Sequence, residues 1–335
     1  MKLYIILTIL LVLCSALTPF SSLLVTQSAE TTKAETTIHK NEEVSQTAME
    51  SKTESNTSTI KILRTSSGKI IEKELFEYVK GSVAAEMPPT YEKEALKAQA
   101  VACYTYALWL KNNSDSSVLN GADISDSPSN YQGFLDDDEL KNKWGENFDE
   151  YMKAVTDAVN EVTGEYIEYN GEPIMACYHA ISTGKTESAK NAWGTDIPYL
   201  QSVRADGDIL SPDIDSSVTL TDDEFQKAAS TLVGADLSSS SKKWLGKLTR
   251  TKNGYVKKAI IGQKEFAGSD VRSAFNLRSP AFTVKKTNSG FIFSVKGYGH
   301  LVGMSQYSAD YMARQGSDYK DILLHFYSGT KIVCR

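Results

Sequence analysis

Residues 72–110 read EKELFEYVKGSVAAEMPPTYEKEALKAQAVACYTYALWL, two helical patterns separated by a proline pair. Leu75, Val79, Val83 and Met87 recur every four residues, so they form one stripe of a helix packed on a core. Pro88 and Pro89 end that helix, which leaves Glu86 in its last turn. Unpaired carbonyls there carry partial negative charge and disfavour an ionised carboxylate, so the pKa of Glu86 is expected to rise. A carboxyl of that kind among Val83, Ala84, Ala85 and Met87 suits general acid/base work near neutral pH. The second pattern predicts a helix over 91–112 with Thr90 as N-cap, where Ala95, Leu96, Ala98, Ala100 and Ala102 allow close packing.

Working outward, IKILRT from Ile60 alternates like a strand, and residues 113–130 form a polar loop. A long helix is expected over Asp136–Val162, and strands over Tyr166–Tyr169 and Ile174–His179. Residues 205–290 alternate charged turns with short apolar runs, including one helix over Asp222–Leu232, and predict a mixed, β-rich subdomain inserted into the chain. FIFSVKGYGH returns as a strand, and helices follow over Ser305–Arg314 and Ser317–Phe326. The fold class expected is α+β, a helical core carrying the inserted subdomain.

Upstream, residues 3–25 are almost wholly apolar and long enough to span a bilayer. No Ala-x-Ala-like cleavage site is evident, so residues 1–25 read as a membrane anchor rather than a cleaved signal. Residues 26–59 are rich in Thr, Ser, Glu and Lys and poor in apolar side chains, the composition of a disordered linker. It would hold the folded part, 60–335, away from the membrane on its outer side.

Composition narrows the functional classes. With 335 residues, 41% hydrophobic and 23% charged, the chain has the make-up of a globular protein. A net charge of -6 and a pI near 5.4 exclude a nucleic-acid partner of the usual basic type and leave a carbohydrate open. Cys14 lies in the apolar run, and Cys103, Cys177 and Cys334 form neither a C-x-x-C pair nor a disulfide framework. The 4 histidines give little material for a metal site, so neither metal nor other cofactor is expected. In Ser182-Thr183-Gly184-Lys185-Thr186 the spacing of a phosphate loop is missing.

Three blocks carry a resemblance: YVKGSVAAEMPPTYEKEALKAQAVACYTYAL, then CYHAISTGKTESAKNAWGTDIPYLQSV from Cys177, then GYGHLVGMSQYSADYMARQGSDYKDILLHFYSGTKI from Gly297. In this order they resemble the stage II sporulation protein D family, which includes amidase enhancers, from about residue 60 to the C-terminus. The resemblance implies lytic transglycosylation of peptidoglycan glycan strands stripped of stem peptides, during engulfment of the forespore. It implies an amidase/endopeptidase and a membrane scaffold protein as partners, at the mother-cell membrane facing the wall. Glu86 would then be the catalytic acid/base. One carboxyl suffices when the substrate's own C6 hydroxyl closes a 1,6-anhydro ring, whereas hydrolysis takes two.

By matched position, Lys97, Gln99, Thr105 and Tyr106 on the second helix would contact substrate. So would Ser182, Gly184, Lys185 and Thr186, and His300, Ser305 and Gln306. The chain departs from the family in three places. Tyr104 stands where relatives commonly have Arg, Leu301 replaces a usual Gly, and 125–132 lacks the Cys and His zinc ligands that some relatives carry before their Gln-x-Tyr element. Two rival readings are a glycan-binding amidase activator without turnover, which Tyr104 favours, and a thiol peptidase using Cys177 and His179.

Overall fold

The structure, a computed structural model, describes residues 59–127 and 131–335. The anchor expected over 1–25 and nearly all of the linker expected over 26–59 lie outside the described residues. Among the described residues no helix is long and apolar enough to cross a membrane.

Strands β1 (Thr59–Leu63) and β2 (Ile70–Glu74) form an antiparallel hairpin that feeds directly into helix α1 (Leu75–Glu86). Leu75, Tyr78, Val79, Ser82 and Val83 are its buried stripe. Met87 is extended, with φ -118° and ψ 141°, as a residue before proline must be, and this stops the helix at Glu86. Helix α2 (Lys93–Asn113) follows. Thr90 is not its cap. Glu92 takes that place without a side-chain bond, and its N–H is met at 2.7 Å by the carboxylate of Asp310, far along the chain. A cap borrowed from a distant residue leaves no local signal in sequence.

The short strand β3 (Ile124–Ser125) pairs parallel with β1. The single helix expected over Asp136–Val162 is two, α3 (Asp137–Trp144) and α4 (Phe148–Glu161). Gly145, at φ +55°, turns the chain between them, and an Asp136–Glu139 capping box starts the first. Strands β4 (Glu165–Tyr169) and β5 (Glu172–Pro173) follow, then β6, which is only Tyr178–His179 because the chain from Ile174 to Cys177 is irregular. Helix α5 (Ala189–Trp193) is short.

The next elements are β7 (Asp215–Leu220), α6 (Asp222–Ala229), β8 (Leu245–Arg250), β9 (Val256–Ile261), β10 (Lys264–Ala267), α7 (Gly268–Ala274), β11 (Phe282–Lys286) and β12 (Phe291–Lys296). They make two three-stranded sheets, β10-β9-β8 and β11-β12-β7, around a core of their own. Its centre is aromatic, with the Phe225 and Phe291 rings 3.9 Å apart. The chain ends with β13 (Met304–Ser305), α8 (Gln306–Arg314), α9 (Tyr319–Phe326) and β14 (Lys331–Cys334). Strand β13 pairs parallel with β6, and β14 closes the sheet β14-β4-β5.

The main core gathers Tyr78 and Val83 of α1, Leu96 and Ala100 of α2, Val155 of α4, Ile167 of β4, Met304 of β13, and Ile322 and Phe326 of α9. The fold is α+β. Helices α1 and α2 lie at its centre, which places Glu86 at the end of a buried helix.

Candidate active site

Glu86 is built by three elements. The extended Met87 fixes its backbone, and the segment 131–135 lies across the end of α1. That segment approaches so closely because Gly81 has no side chain: a Cβ there would stand 2.5 Å from the Phe134 ring and 2.6 Å from the Leu135 carbonyl. Phe134 instead stacks on Tyr78, ring centroids 5.6 Å apart. Gly133 is thereby set against Glu86 and donates its N–H to Oε1.

The third element is α3, whose last turn carries Lys143. Its ammonium donates to the α1 carbonyls of Ala84 at 3.1 Å and Ala85 at 3.3 Å. This changes the account of Glu86's acidity. The pKa is raised, as the sequence leads one to expect, but burial is the largest cause, while the Gly133 N–H and the Lys143 charge pull it down. The helix-end carbonyls invoked from sequence are partly answered by Lys143. Among the described residues no carboxylate is among the groups acting on Glu86.

Beneath Glu86 runs a polar chain in an otherwise apolar core. Gln306 Nε2 donates to the Glu86 carbonyl and to Gln99 Oε1, both at 3.2 Å. Gln99 Nε2 donates to Cys103 Sγ at 3.2 Å, and that thiol donates to the Tyr178 hydroxyl at 3.7 Å. Tyr178 donates to Gln132 Oε1 at 3.2 Å, and Gln132 Nε2 donates to the Tyr78 hydroxyl at 2.7 Å. Buried polar groups satisfied in this way define one arrangement. Burial raises the pKa values of Tyr78, Cys103 and Tyr178, and the negative charge of Glu86 adds to the rise, so all three lie within its field.

The eleven residues matched to substrate contact fall into separate places. Gln306 joins Glu86 directly and Gln99 through it, and Tyr106, on the Gln99–Cys103 side of α2, is half-buried in the neighbourhood of Tyr78 and Tyr131. Thr105 is fully buried, donating to the Val101 carbonyl and accepting the Ile167 N–H. Lys97 is committed to Glu94 at 2.8 Å, Glu161 at 3.4 Å and the Tyr319 ring.

Ser182 and Ser305 converge on the buried carboxylate of Asp208, which accepts the Ser182 N–H at 2.6 Å, the Ser305 hydroxyl at 2.7 Å and the Ser308 hydroxyl at 2.8 Å. Thr186 is buried and accepts the Val203 N–H; Gly184 is a bend at φ +95°; Lys185 is exposed and its backbone bridges to Arg204. His300 packs on His179, which faces away from Tyr178 because neighbouring strand residues point to opposite sides.

Sequence reasoning missed Gly133, Lys143, Cys103, Tyr178 and Gln132 as parts of this site. Only Gln132, in the Gln-x-Tyr comparison, had any signal.

The departures from the family also find places. Tyr104 is seven residues on from Lys97, so it shares that residue's face of α2. It lines a groove of about 170 Å³ with Phe76, Val79, Ala100 and Val159, and lies in the field of Arg335 rather than of Glu86. Leu301 sits at φ +69°, a left-handed conformation that favours glycine and accounts for the usual Gly there. Its side chain is buried beside Tyr255 and Ala281. Among the described residues no group of three or more metal-ligating side chains occurs.

Cys177 is half-buried and desolvation pushes its thiol up to about 12, while His179 Nδ1 is engaged by the Val302 carbonyl at 3.1 Å. A thiol held protonated beside an imidazole committed elsewhere is a poor nucleophile, which removes the footing of the thiol-peptidase reading.

Comparison with known proteins agrees with the three blocks. The family profile described as stage II sporulation protein, SpoIID, matches residues 64–169, which run from Arg64 to the end of β4 and include Glu86, Gly133 and Lys143. The stage II sporulation protein D of Bacillus subtilis is 36% identical over 274 residues, 82% of this chain and 78% of that protein. That of Bacillus amyloliquefaciens is 36% identical over 275 residues, with the same coverage. An amidase enhancer of Bacillus subtilis is 27% identical over 308 residues, 76% of this chain and 40% of that protein. The chain belongs to the stage II sporulation protein D family.

Proposed function

We propose that the protein is a peptidoglycan lytic transglycosylase and that Glu86 is its catalytic acid/base. The observation that carries this reading is a carboxyl with a raised pKa, held by the Gly133 N–H, with no carboxylate among the described residues acting on it. Protonated Glu86 donates its proton to the glycosidic oxygen as the bond to C1 of N-acetylmuramic acid breaks. The resulting carboxylate takes the proton of the C6 hydroxyl while O6 bonds to C1. The product is a 1,6-anhydro end, no water is consumed, and Glu86 is returned protonated. Burial favours the acid form needed first; the Gly133 N–H and Lys143 steady the carboxylate present between the steps.

Strands stripped of stem peptides are the proposed substrate, supplied by a cell-wall amidase and cut during sporulation. The proposed place is the outer face of the mother-cell membrane, with an amidase/endopeptidase and a membrane scaffold protein as partners. The likeness to an amidase enhancer supports a second reading, a glycan-binding activator of an amidase with no turnover of its own. The position of Tyr104 away from Glu86 takes away the sequence feature that favoured it.

Mass spectrometry of products from peptide-free strands tests both readings. Anhydro-muramic ends from the parent protein, falling by about two to four orders of magnitude in Glu86→Gln, support the transglycosylase. Reducing ends would refute it, since they require an activated water. Strand binding without cleavage would favour the activator.

A further inference from the structure

His179 and His300 stand on the side of β6 that the proposed mechanism does not use. Their ring centroids are 5.8 Å apart, and His300 meets Trp193 at 5.6 Å. Trp193 is 37% exposed and Tyr298, two residues before His300, is 46% exposed, unusual openness for large rings. The guanidinium of Arg278 lies over the Tyr298 ring, 4.4 Å from its centroid, and the Gly299 N–H donates to the Arg278 carbonyl at 2.9 Å. That bond fixes the segment after α7 against 298–300.

Helix α7 itself carries Arg272, half-buried, whose Nε donates to the Leu277 carbonyl of that following segment at 3.2 Å. Among the described residues Arg272 has no ion-pair partner, and Arg278 has only the exposed Asp213 at 3.9 Å. The buried Glu187 nearby is engaged by Ser188, Asn191 and Thr251. Both imidazoles are neutral, pushed down to about 4 and about 3 first by burial and also by Arg272. His179 Nε2 is buried without a hydrogen-bond partner. Positive charge here is therefore carried by two under-paired guanidiniums flanked by open aromatic rings.

We propose that this surface binds a carboxylate-bearing sugar, its ring on Trp193 or Tyr298 and its carboxylate on Arg272 and Arg278. Planar guanidinium matches carboxylate, and apolar sugar faces lie on aromatic rings. The inference rests on the glycan reading above. A muramic acid without its stem peptide ends its lactyl arm in a free carboxylate, and one that keeps the peptide ends it in an amide. The surface therefore selects stripped strands. With a net charge of -6 the protein offers no long-range attraction, so the selection lies in this local pair.

The test uses full-length protein carrying Glu86→Gln, so that strands stay uncut, and calorimetric titration with two probes. One is peptide-free glycan strands; the other is the same strands with lactyl carboxyls amidated by methylamine. Tighter binding of the free form is expected, with Arg278→Gln or Arg272→Gln weakening it about tenfold, the value of one charged hydrogen bond. Neither change should alter binding of amidated strands, and Arg278→Lys should keep most of the affinity. Equal binding of both forms, or equal weakening on both, overturns the carboxylate site and leaves cleavage at Glu86 standing. Absence of binding to either form overturns both proposals.

Discussion

Replacing Gly133 by Ala separates the position of the Glu86 carboxyl from the stability of the fold. An added Cβ would stand 2.9 Å from Glu86 Oε1, 3.4 Å from Ala85 Cβ and 3.5 Å from Glu86 Cδ. Ordinary contact begins near 3.4 Å, so the carboxyl oxygen must retreat by about 0.5 Å while Ala85 barely notices. Gly133 is not at positive φ, so alanine suits its backbone, and loss of unfolded-chain freedom adds about 0.4–1 kcal/mol of stability. A strained or lost bond from the Gly133 N–H to the carboxyl offsets this by a similar or somewhat larger amount.

The melting temperature should thus move by only a few degrees. Activity should not be spared: groups that transfer protons must be held to within about 0.5 Å, and a misplacement of about 1 Å costs on the order of a hundredfold. A fall of about tenfold in the rate of anhydro-muramic product release is expected, beside a near-unchanged unfolding curve. Full activity in a folded Gly133→Ala protein would refute the argument that Glu86 reacts from this position.

Other expectations follow from the same electrostatics. Burial raises the Glu86 pKa in the folded chain above its unfolded value, so stability present at low pH is lost as pH rises through the folded pKa. Glu86→Gln, neutral throughout, should melt above the parent near pH 7 and level with it near pH 3; the same melting temperature at both pH values would show the carboxyl to be solvated. Lys143→Gln keeps a donor for the Ala84 and Ala85 carbonyls but removes the charge that lowers the Glu86 pKa. The alkaline limb of the pH–activity profile should move to higher pH, and a limb that stays put would take Lys143 out of the site. Thiol-blocking reagents should leave activity unchanged, because Cys103 and Cys177 are both pushed up to about 12 by burial; inactivation of the native protein would restore the thiol reading.

The parts legible in sequence are those that rest on short-range rules. The four-residue stripe of α1 and the proline stop gave Glu86 its place, and the apolar and small residues of α2 gave the packing partner. What sequence hid depends on contacts between distant segments. Asp310 caps α2 from 218 positions away, so Thr90 was the reasonable local choice and the wrong one. Gly145 broke a helix whose apolar spacing continued across it, since periodicity registers the stripe and not the turn.

The same limit governs the site. Gly133 and Lys143 matter because a glycine at 81 lets another segment lie on α1 and a capping box aims α3 back at its end. Neither residue type announces such a role. Ser182 and Ser305 look like sugar ligands from their setting in polar, glycine-containing motifs, yet the Ser182 N–H and the Ser305 hydroxyl both close on Asp208, whose 0% exposure demands donors. A serine in a glycine-rich motif reads the same whether it awaits a ligand or satisfies a buried charge; only the partner across the fold decides. For Glu86 that partner set, among the described residues, is a backbone N–H and an ammonium without an acid, the surroundings that the proposed use of one carboxyl in turn as acid and as base requires.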